Sequence, residues 1–263
     1  MNIYKDKIAW ITGASSGIGE ELCYILNEYG CKTIISSRRE AELQRVKGNC
    51  KFPELVFVQV MDLENTDELF SIVEECLLQH KKIDYLFNNG GVSQRSYVPD
   101  TSIETARKIM EINFFGNIAL TKALLPYMIN QKGGHIIITS SAAGKYGFYL
   151  RSVYSASKHA LHGFYESLRL EQKENNIYIT LIISGPVNTN MSFNAMTGNG
   201  KNHGKQDRLI NQGANPKTIA IGILKATKKG KEEAYFGGKE LIPIYIKRFF
   251  PRFFTRLLAK FKP

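Results

Sequence analysis

The segment Ile8-Ala-Trp-Ile-Thr-Gly-Ala-Ser-Ser-Gly-Ile-Gly19 decides the fold expected for this chain. A short apolar run ends in glycines spaced Gly13-x3-Gly17-x-Gly19, and an amphipathic stretch follows. Glycine permits a tight turn, and the free N–H groups at the start of the next helix attract a phosphate. The alternative, an ordinary glycine-rich turn, is disfavoured by this placement between a strand and a helix. The residues expected to contact a pyrophosphate are Gly13, Ser15, Ser16, Gly17, Ile18 and Gly19.

Apolar runs alternate with amphipathic stretches along the rest of the chain. The expected strands are 8–11, 32–36, 55–60, 85–87, 135–140 and 178–183, and the expected helices are 17–29, 40–48, 66–80, 103–131, 152–175 and 216–229. This alternation predicts one α/β domain, a Rossmann-like doubly wound parallel sheet covered by helices on both faces. Such sheets bind ligands at the carboxyl ends of their strands.

The end of the second strand indicates which dinucleotide binds. NAD sites usually place an acid about 20 residues after the glycines to accept from the ribose 2′-hydroxyl. This chain has Ser37 there, followed by Arg38 and Arg39. Because a guanidinium matches a phosphate, the pattern favours NADP(H) over NAD(H). The alternative is that both arginines are solvated loop charges.

The third and fourth strands end in further candidate cofactor contacts. Asp62, followed by Leu63, is placed to accept from an adenine amino group, or alternatively to cap a helix. Asn89 and Gly90 follow the fourth strand, where glycine lets the backbone approach a ring or a ribose closely. Asn113, inside the expected helix 103–131, is either a satisfied core amide or part of a water chain.

Tyr154 and Lys158 are the candidate catalytic pair, and Ser141 stands thirteen positions before Tyr154. Residues i and i+4 share a helix face, so phenol and ammonium are expected to enter one pocket. A nearby cation favours phenolate and lowers the pKa of a phenol, which suits acid–base catalysis. A second Tyr-x3-Lys pair, Tyr235 and Lys239, encloses two glycines and is expected to be an ordinary surface pair.

In these motifs the sequence resembles the short-chain dehydrogenase/reductase family over about residues 5–240. The resemblance rests on Thr12–Gly19, Asp62, Asn88–Gly91, Asn113, Ser141, Tyr154, Lys158 and Gly185–Thr189. It implies that Tyr154 is the acid/base, that Lys158 holds the nicotinamide ribose, and that Ser141 positions the substrate oxygen. It also implies that Asn113 anchors a relay water and that Pro186, Val187 and Thr189 lie at the nicotinamide carboxamide.

Two departures from the family pattern stand out. Asn-Asn-Gly-Gly replaces the commoner Asn-Asn-Ala-Gly at 88–91, which is expected to leave the role of the loop intact. Ser184 replaces a proline before Gly185, which puts the rigidity of that loop in question.

The function expected from these features is an NADPH-dependent reductase that transfers hydride to the carbonyl of a small, hydrophobic substrate, with Tyr154 as general acid/base. Two alternatives stay open: an NADP-dependent alcohol dehydrogenase that runs oxidatively, and a non-catalytic dinucleotide sensor or scaffold. The resemblance further implies a homo-oligomer, a dimer or a tetramer. The polar segment 190–215 carries Met191, Phe193 and Met196 and is expected to form a lid.

The tail, residues 241–263, is expected to be a basic amphipathic helical extension of the 1–240 domain. The net charge is +11, and no acid follows Glu240, so the basicity is local and does not indicate nucleic-acid binding. Aromatic and cationic residues recur at helical spacing over 249–261, which favours a membrane-surface contact through 245–263 and hence a lipid-like substrate. The alternative is a helix packed on the body or on a neighbouring subunit.

The cysteines and the N-terminus bear on the compartment. Cys23, Cys31, Cys50 and Cys76 form no Cys-x-x-Cys pair, and the first residues lead straight into a strand without an apolar leader. Both features predict a cytoplasmic protein, peripheral on the inner face of a membrane if the tail binds lipid. His135, His159 and His162 lack metal-like spacing with acids or thiols, and no metal site is expected.

Overall fold

The computed structural model describes residues 2–258. One parallel sheet of seven strands forms its centre. Its strands are β1 (Ile8–Thr12), β2 (Lys32–Ser37), β3 (Val56–Val60), β4 (Tyr85–Asn88), β5 (Gly134–Thr139), β6 (Ile177–Ser184) and β7 (Glu233–Phe236). They lie in the order β3-β2-β1-β4-β5-β6-β7, and every neighbouring pair is parallel. The chain reverses its direction of progress between β1 and β4, which opens a crevice at their carboxyl ends.

Helices cover both faces of this sheet. They are α1 (Gly17–Glu28), α2 (Glu40–Gly48), α3 (Leu69–His80), α4 (Ile103–Met110), α5 (Gly116–Asn130), α6 (Ser152–Glu171), α7 (Arg208–Asn211), α8 (Pro216–Lys228), α9 (Ile242–Phe249) and α10 (Pro251–Leu258). Side chains from α1, α2 and α8 share one core, and those from α3 to α6 share the other.

β1 shows why the sheet is buried on both faces. Ala9 and Ile11 point into the α1/α2/α8 core, whereas Ile8 and Trp10 point into the opposite core. Successive side chains of a strand face opposite sides of a sheet, so a fully apolar strand needs cover on both. The predicted doubly wound α/β fold is confirmed.

The seventh strand was not predicted. β7 consists of Glu233-Ala-Tyr-Phe236, in which only Ala234 is buried. The other strands were predicted from short continuous runs of apolar residues. An edge strand that is partly exposed to solvent lacks such a run, so this criterion does not detect β7. The predicted helix 103–131 is also interrupted: a wide turn, Glu111–Phe115, joins α4 to α5.

The described part of the tail forms two short helices, α9 and α10. Pro251 occupies the first turn of α10, where its missing N–H costs little. Phe254 is buried and stacks edge-on against Tyr146, with ring centroids 5.3 Å apart. Ala259, Lys260, Phe261, Lys262 and Pro263, which the expected amphipathic extension includes, lie outside the described residues. Within 2–258, no helix is both long and apolar enough to cross a membrane.

Candidate active site

A cavity of about 620 Å³ opens at the carboxyl ends of the strands. The fold brings nearly all predicted site residues to its wall: Gly13, Ser15, Ser16, Gly17, Ile18, Ser37, Arg38, Arg39, Asp62, Leu63, Asn89, Gly90, Ser141, Tyr154, Lys158, Pro186, Val187 and Thr189. The two exceptions are Gly19 and Asn113, which lie behind the wall. Residues that are far apart in the sequence therefore form one continuous cleft.

The glycine turn needs its glycines for backbone geometry. Gly13 and Gly17 have φ values of +64° and +63°, in the left-handed region that disfavours other residues. A Cβ on Gly13 would lie 2.8 Å from the Cα of Gly90, and one on Gly17 would lie 2.8 Å from Cγ2 of Thr189. The turn is therefore packed directly between the loops that follow β4 and β6.

The start of α1 suits an anionic ligand. Ser16 is the N-cap residue, and within residues 2–258 its side chain makes no capping hydrogen bond to the first turn. The amide groups of that turn thus keep their partial positive charge toward the cavity. This geometry fits the pyrophosphate of a dinucleotide.

Two arginines extend this positive end of the cavity. Arg39 donates from Nη2 to Oγ of Ser15 at 3.0 Å, which places its guanidinium over the glycine turn. Arg38 is about half exposed, and its Nη1 lies 4.0 Å from a carboxylate oxygen of Asp62. The Ser37 hydroxyl accepts from the Arg39 backbone N–H at 3.2 Å. A further phosphate bound here would meet two cations and only one carboxylate.

Asp62 lies in a local turn at the cavity wall. Its Oδ1 accepts from the backbone N–H of Glu64 at 3.0 Å, which is a local turn, not the cap of a regular helix. Its other oxygen faces Arg38 at the cavity wall. The local turn therefore holds the carboxylate at the wall.

The glycine that replaces the family's alanine has a physical reason. A Cβ on Gly90 would lie 2.6 Å from Cδ1 of Leu63 and 3.1 Å from Oγ1 of Thr12. The Leu63 side chain thus occupies the space that the methyl group would fill. The sequence showed the replacement but not this reason for it, because the reason is a contact between two different loops.

Asn89 ties the ends of three central strands together. Its Nδ2 donates to the Thr12 carbonyl oxygen at 3.2 Å, and its Oδ1 accepts from the Thr139 hydroxyl at 3.2 Å. The Thr12 hydroxyl oxygen in turn accepts from the Gly90 N–H at 2.8 Å. These bonds fix the floor of the cavity at β1, β4 and β5.

Ser141, Tyr154 and Lys158 converge at the other end of the cavity. Ser141 follows β5, and its Oγ accepts from the N–H of Ala143 at 3.2 Å. Tyr154 and Lys158 lie on the first turns of α6, and Nζ of Lys158 lies 5.8 Å from the Tyr154 ring centroid. Nζ also donates to the Thr139 carbonyl oxygen at 2.8 Å. The three functional groups therefore share one small volume.

The expected acidification of Tyr154 is wrong for this arrangement. Burial raises the pKa of Tyr154, and a hydrogen bond with Ser141 and the charge of Arg151 only partly offset that rise. Burial also lowers the pKa of Lys158 to about 8. For Tyr154, desolvation outweighs the Ser141 hydrogen bond and the Arg151 charge, so Tyr154 is a neutral phenol at pH 7.

Asn113 is a fully satisfied core amide. Its Oδ1 accepts from the N–H of Val92 at 2.7 Å, and its Nδ2 donates to the Val92 carbonyl oxygen at 2.9 Å and to Oγ of Ser157 at 3.1 Å. It lies in the wide turn between α4 and α5, a feature common at functional sites. The side chain joins the loop after β4 to α6 directly beneath Tyr154.

The segment 190–215 closes over the reaction end of the cavity. Its Asp207 carboxylate accepts from Arg95 and from Arg151, which both belong to the body of the domain. Met191 and Met196 line the cavity below. Two arginines therefore hold this segment, the expected lid, against the body of the domain.

Sequence reasoning missed several residues at this end of the cavity. Tyr146, Phe148, Arg151 and Glu240 all line it. Tyr146 and Phe148 supply an apolar wall, whereas Arg151 and Glu240 supply charge. Their sequence neighbourhoods carry no motif, so only the three-dimensional contacts identify them.

His162 has acidic neighbours that its sequence spacing did not reveal. Ligand atoms of His162, Glu166 and Glu233 lie within 4.8 Å of one another. Both carboxylate oxygens of Glu233 already accept hydrogen bonds, from Lys145 and from Tyr235. The His162 imidazole, whose Nδ1 lies 3.6 Å from Oε1 of Glu233, and then the hydrogen bonds from these two groups hold the pKa of Glu233 well below its usual range. We interpret the cluster as an ion-pair network.

The lowered pKa of Lys158 predicts a pH-dependent difference in stability. Its folded value, about 8, lies below the ordinary 10.5. Burial of the ammonium therefore lowers the free energy of unfolding by its largest amount below pH 8, and this destabilisation disappears as the pH rises toward 10.5. Lys158→Met removes this cost, so its stability relative to the native chain should fall by about 2 kcal/mol from pH 7 to pH 9.5. Urea unfolding of both proteins at pH 7 and pH 9.5 measures their free energies of unfolding. The same difference between the two proteins at both pH values would contradict the prediction.

Comparison with known proteins places the chain among similar sequences. Residues 7–199 match the family model described as short chain dehydrogenase. The chain is 37% identical over 263 residues to Dehydrogenase/reductase SDR family member 7B of Danio rerio, covering 97% of this chain and 85% of that protein. It is 41% identical over 235 residues to Dehydrogenase/reductase SDR family protein 7-like of Anopheles gambiae, covering 86% and 74%.

Solved structures share the fold at lower identity. A short-chain dehydrogenase from Streptomyces avermitilis superposes with a TM-score of 0.84 at 24% identity, covering 99% of this chain and 98% of that one. A short chain dehydrogenase/reductase from Burkholderia phymatum, solved in complex with NAD, gives 0.83 at 19% identity, covering 95% of both chains. An alcohol dehydrogenase from Thermococcus sibiricus, complexed with 5-hydroxy-NADP, gives 0.74 at 21%, covering 87% and 95%.

Proposed function

The chain belongs to the short-chain dehydrogenase family, and from that premise we propose that it is an NADPH-dependent reductase of a hydrophobic carbonyl compound. Membership in the family makes it an oxidoreductase of the kind that uses nicotinamide dinucleotides. The choice of NADPH, the direction of the reaction and the class of substrate are the parts that we propose.

One observation carries this proposal: Ser141, Tyr154 and Lys158 line the same cavity as the glycine turn and the two arginines. A binding module has no need for a buried phenol and a buried ammonium at the end of its ligand cleft, because burying both costs stability. Perturbed titratable groups in a cleft are typical of a catalytic site.

The residues that would hold the cofactor follow from their positions. The turn at Gly13–Gly19 and the start of α1 would bind the pyrophosphate, and Arg38 and Arg39 would bind a 2′-phosphate. Lys158, with Val187 and Thr189, would hold the nicotinamide half. When bound, the cofactor supplies the hydride, and the chain's own residues orient the substrate and move the proton.

Tyr154 and Ser141 would act on the substrate oxygen. The Ser141 O–H would turn to donate to a carbonyl oxygen while its Oγ still accepts from Ala143. Tyr154 is protonated at neutral pH because burial raises the pKa of its phenol. Its O–H can then give a proton to the oxygen as negative charge develops there. Lys158, with a pKa of about 8, is mostly an ammonium at pH 7 and stabilises the phenolate left behind.

The proposed preference for NADPH rests on charge at the end of β2. Arg39 lies over Ser15, and Arg38 faces the same part of the cavity. Ser37 leaves that position without the carboxylate that would repel a 2′-phosphate. The two guanidinium groups and the one partly exposed carboxylate, Asp62, give this part of the cavity a net positive charge, which would attract the 2′-phosphate.

A direct assay tests the proposed function. Oxidation of NADPH is followed at its absorbance over ketones and aldehydes of increasing apolar size, and reduction of NADP⁺ is followed over the matching alcohols. We expect turnover with hydrophobic carbonyl compounds at pH 7. Turnover confined to alcohols would favour the oxidative dehydrogenase, and cofactor binding without any turnover would favour a sensor.

We also propose that residues 241–263 form an extension of the 1–240 domain that docks on an anionic membrane. Phe249, Phe250 and Phe253 are 70%, 66% and 59% exposed, and Arg252 lies in the same exposed stretch. Aromatic and cationic side chains together suit a lipid interface. Because Phe254 packs on Tyr146 at the cavity wall, this surface would bring that wall of the cavity close to lipid.

Exposed phenylalanines give a test that leaves the packed side of the tail intact. The triple variant Phe249→Ser/Phe250→Ser/Phe253→Ser should reduce binding to phosphatidylserine vesicles about tenfold or more, because three aromatic side chains no longer enter the interface. Co-sedimentation measures this binding. A matched control replaces Leu78, Leu170 and Tyr178, which are also exposed, with serine. Equal loss in both variants would contradict a specific role of the tail.

Assembly and compartment remain proposals of the same kind. We propose a homo-oligomer, a dimer or a tetramer, which sedimentation velocity would measure. The buried free thiols at Cys23, Cys31, Cys50 and Cys76 support a reducing, cytoplasmic setting.

A further inference from the structure

Gln94 is a fully buried amide that contacts the backbone of Tyr154. Its Oε1 accepts from the N–H of Val153 at 2.8 Å and from the N–H of Tyr154 at 3.2 Å. Its Nε2 lies within hydrogen-bond distance of three hydroxyl oxygens, those of Ser96, Thr101 and Ser152. Gln94 has no exposed surface, so water cannot take the place of any of these partners. Losing one would leave a buried polar group without a hydrogen bond.

These bonds act as a cap that α6 lacks in its own sequence. The N-cap residue of α6 is Arg151, and within residues 2–258 its side chain makes no capping hydrogen bond. The N–H groups of the first turn have no partner inside a helix and are usually satisfied by a Ser, Thr, Asp or Asn at the N-cap. Here the carbonyl oxygen of Gln94 satisfies the second and third of them from another part of the chain.

The backbone on either side of Gln94 is bound to the lid. The Ser93 carbonyl oxygen accepts from the N–H of Met196 at 2.9 Å, and the N–H of Arg95 donates to the Met196 carbonyl oxygen at 2.8 Å. Met196 lies in the 190–215 segment and lines the cavity. One lid residue therefore holds the short segment from which Gln94 reaches α6.

We propose that Gln94 is a positioning residue that links closure of the lid to the placement of Tyr154. Seating Met196 on Ser93–Arg95 fixes the Gln94 amide, which fixes the first turn of α6 and with it the phenol. This inference rests on the proposed reductase function, since Tyr154 is taken there as the proton donor. A proton donor displaced by about 1 Å can lose up to about 100-fold in rate, so a remote cap has kinetic consequences.

Three variants separate positioning from general stability. Gln94→Leu keeps the side-chain size and removes every hydrogen bond. Gln94→Glu keeps an oxygen acceptor for both N–H groups, and the three hydroxyls can turn to donate to it. The control is Tyr165→Phe, which removes a buried hydroxyl on the same helix, bound to Asn88 and Thr121, and none of these three residues lines the cavity.

Steady-state kinetics with NADPH and the best ketone gives the first readout. We expect Gln94→Leu to lower kcat about 10- to 30-fold while the Kd of NADPH stays within about twofold. Gln94→Glu should recover most of that loss, and Tyr165→Phe should lower Tm while kcat stays within about twofold. A kcat loss in Gln94→Leu no larger than in Tyr165→Phe, or no recovery in Gln94→Glu, would overturn the proposal.

Hydrogen exchange gives a second readout that does not depend on turnover. In Gln94→Leu, peptides from 152–158 and from 190–197 should both exchange about tenfold faster or more than in the native chain, whereas Tyr165→Phe should leave both unchanged. If the native chain reduces no carbonyl compound, the proposed function fails, and exchange still tests the link. Unchanged exchange at 152–158 in Gln94→Leu would then overturn the link itself.

Discussion

Tyr154→Phe should lower kcat for carbonyl reduction by about 1,000-fold or more while NADPH still binds with nearly native affinity. The phenol lines the cavity beside Ser141, and burial raises its pKa. Without its O–H, the developing alkoxide has no proton donor at the right place. The ring itself remains, so the apolar packing of α6 is preserved. Stopped-flow or steady-state oxidation of NADPH measures kcat, and fluorescence titration measures the Kd of NADPH.

A control with the same sequence spacing is available for this experiment. Tyr235 also precedes a lysine by four positions, but it lies on β7, is 38% exposed, and donates its O–H to Glu233. Tyr235→Phe should keep kcat within about twofold. Retention of more than a tenth of native activity in Tyr154→Phe would contradict the assignment of the acid. Loss of NADPH binding in the same variant would instead indicate a structural role.

The second large effect concerns the choice of cofactor. Arg38→Ala/Arg39→Ala should lower kcat/KM for NADPH about 100-fold, since each charge-assisted contact with a phosphate contributes about 1.5–3 kcal/mol. With NADH, which lacks the 2′-phosphate, the change should stay within about threefold. Adding Ser37→Asp should then favour NADH, because a carboxylate can accept from the ribose 2′-hydroxyl and repels a phosphate. Initial rates with both cofactors, in native and variant enzymes, measure the preference.

The NADH measurement serves as the internal control for the arginine variants. Arg39 donates to Ser15 beside the glycine turn, so its loss could also disturb the pyrophosphate site. Such damage would lower activity with both cofactors equally. An equal decrease with NADPH and NADH would therefore contradict recognition of the 2′-phosphate by these arginines and would assign them to the turn.

Much of the site was predictable because its residues are carried by local patterns. The glycines at 13, 17 and 19 lie within one turn, and Tyr154 and Lys158 lie four positions apart on one helix. The rule that ligands bind at the carboxyl ends of parallel strands then places these separate patterns together. β7 was not predicted because only Ala234 of its four residues is buried at the edge of the sheet.

Other features of the site depend on contacts between distant parts of the chain. Gln94 is 60 positions from Tyr154, yet its side chain caps that residue's helix. Leu63 occupies the space that an alanine methyl at position 90 would need. Asp207 receives two arginines that lie 112 and 56 positions away. No spacing rule connects such residues, since their separation is set by how the loops pack.

The sequence by itself determined the α/β class, the order of the cofactor-binding and catalytic motifs along the chain, and the identity of the reactive groups. It could do so because hydrophobic periodicity and helix spacing relate residues that are close in the sequence. Only the tertiary structure decided how those groups titrate. The sequence suggested a phenol acidified by a cation, whereas the fold buries both groups, raising the pKa of Tyr154 and lowering that of Lys158. Desolvation of a titratable group depends on all the atoms packed around it. For Tyr154 and Lys158 those atoms come from distant segments, which meet only in the folded chain.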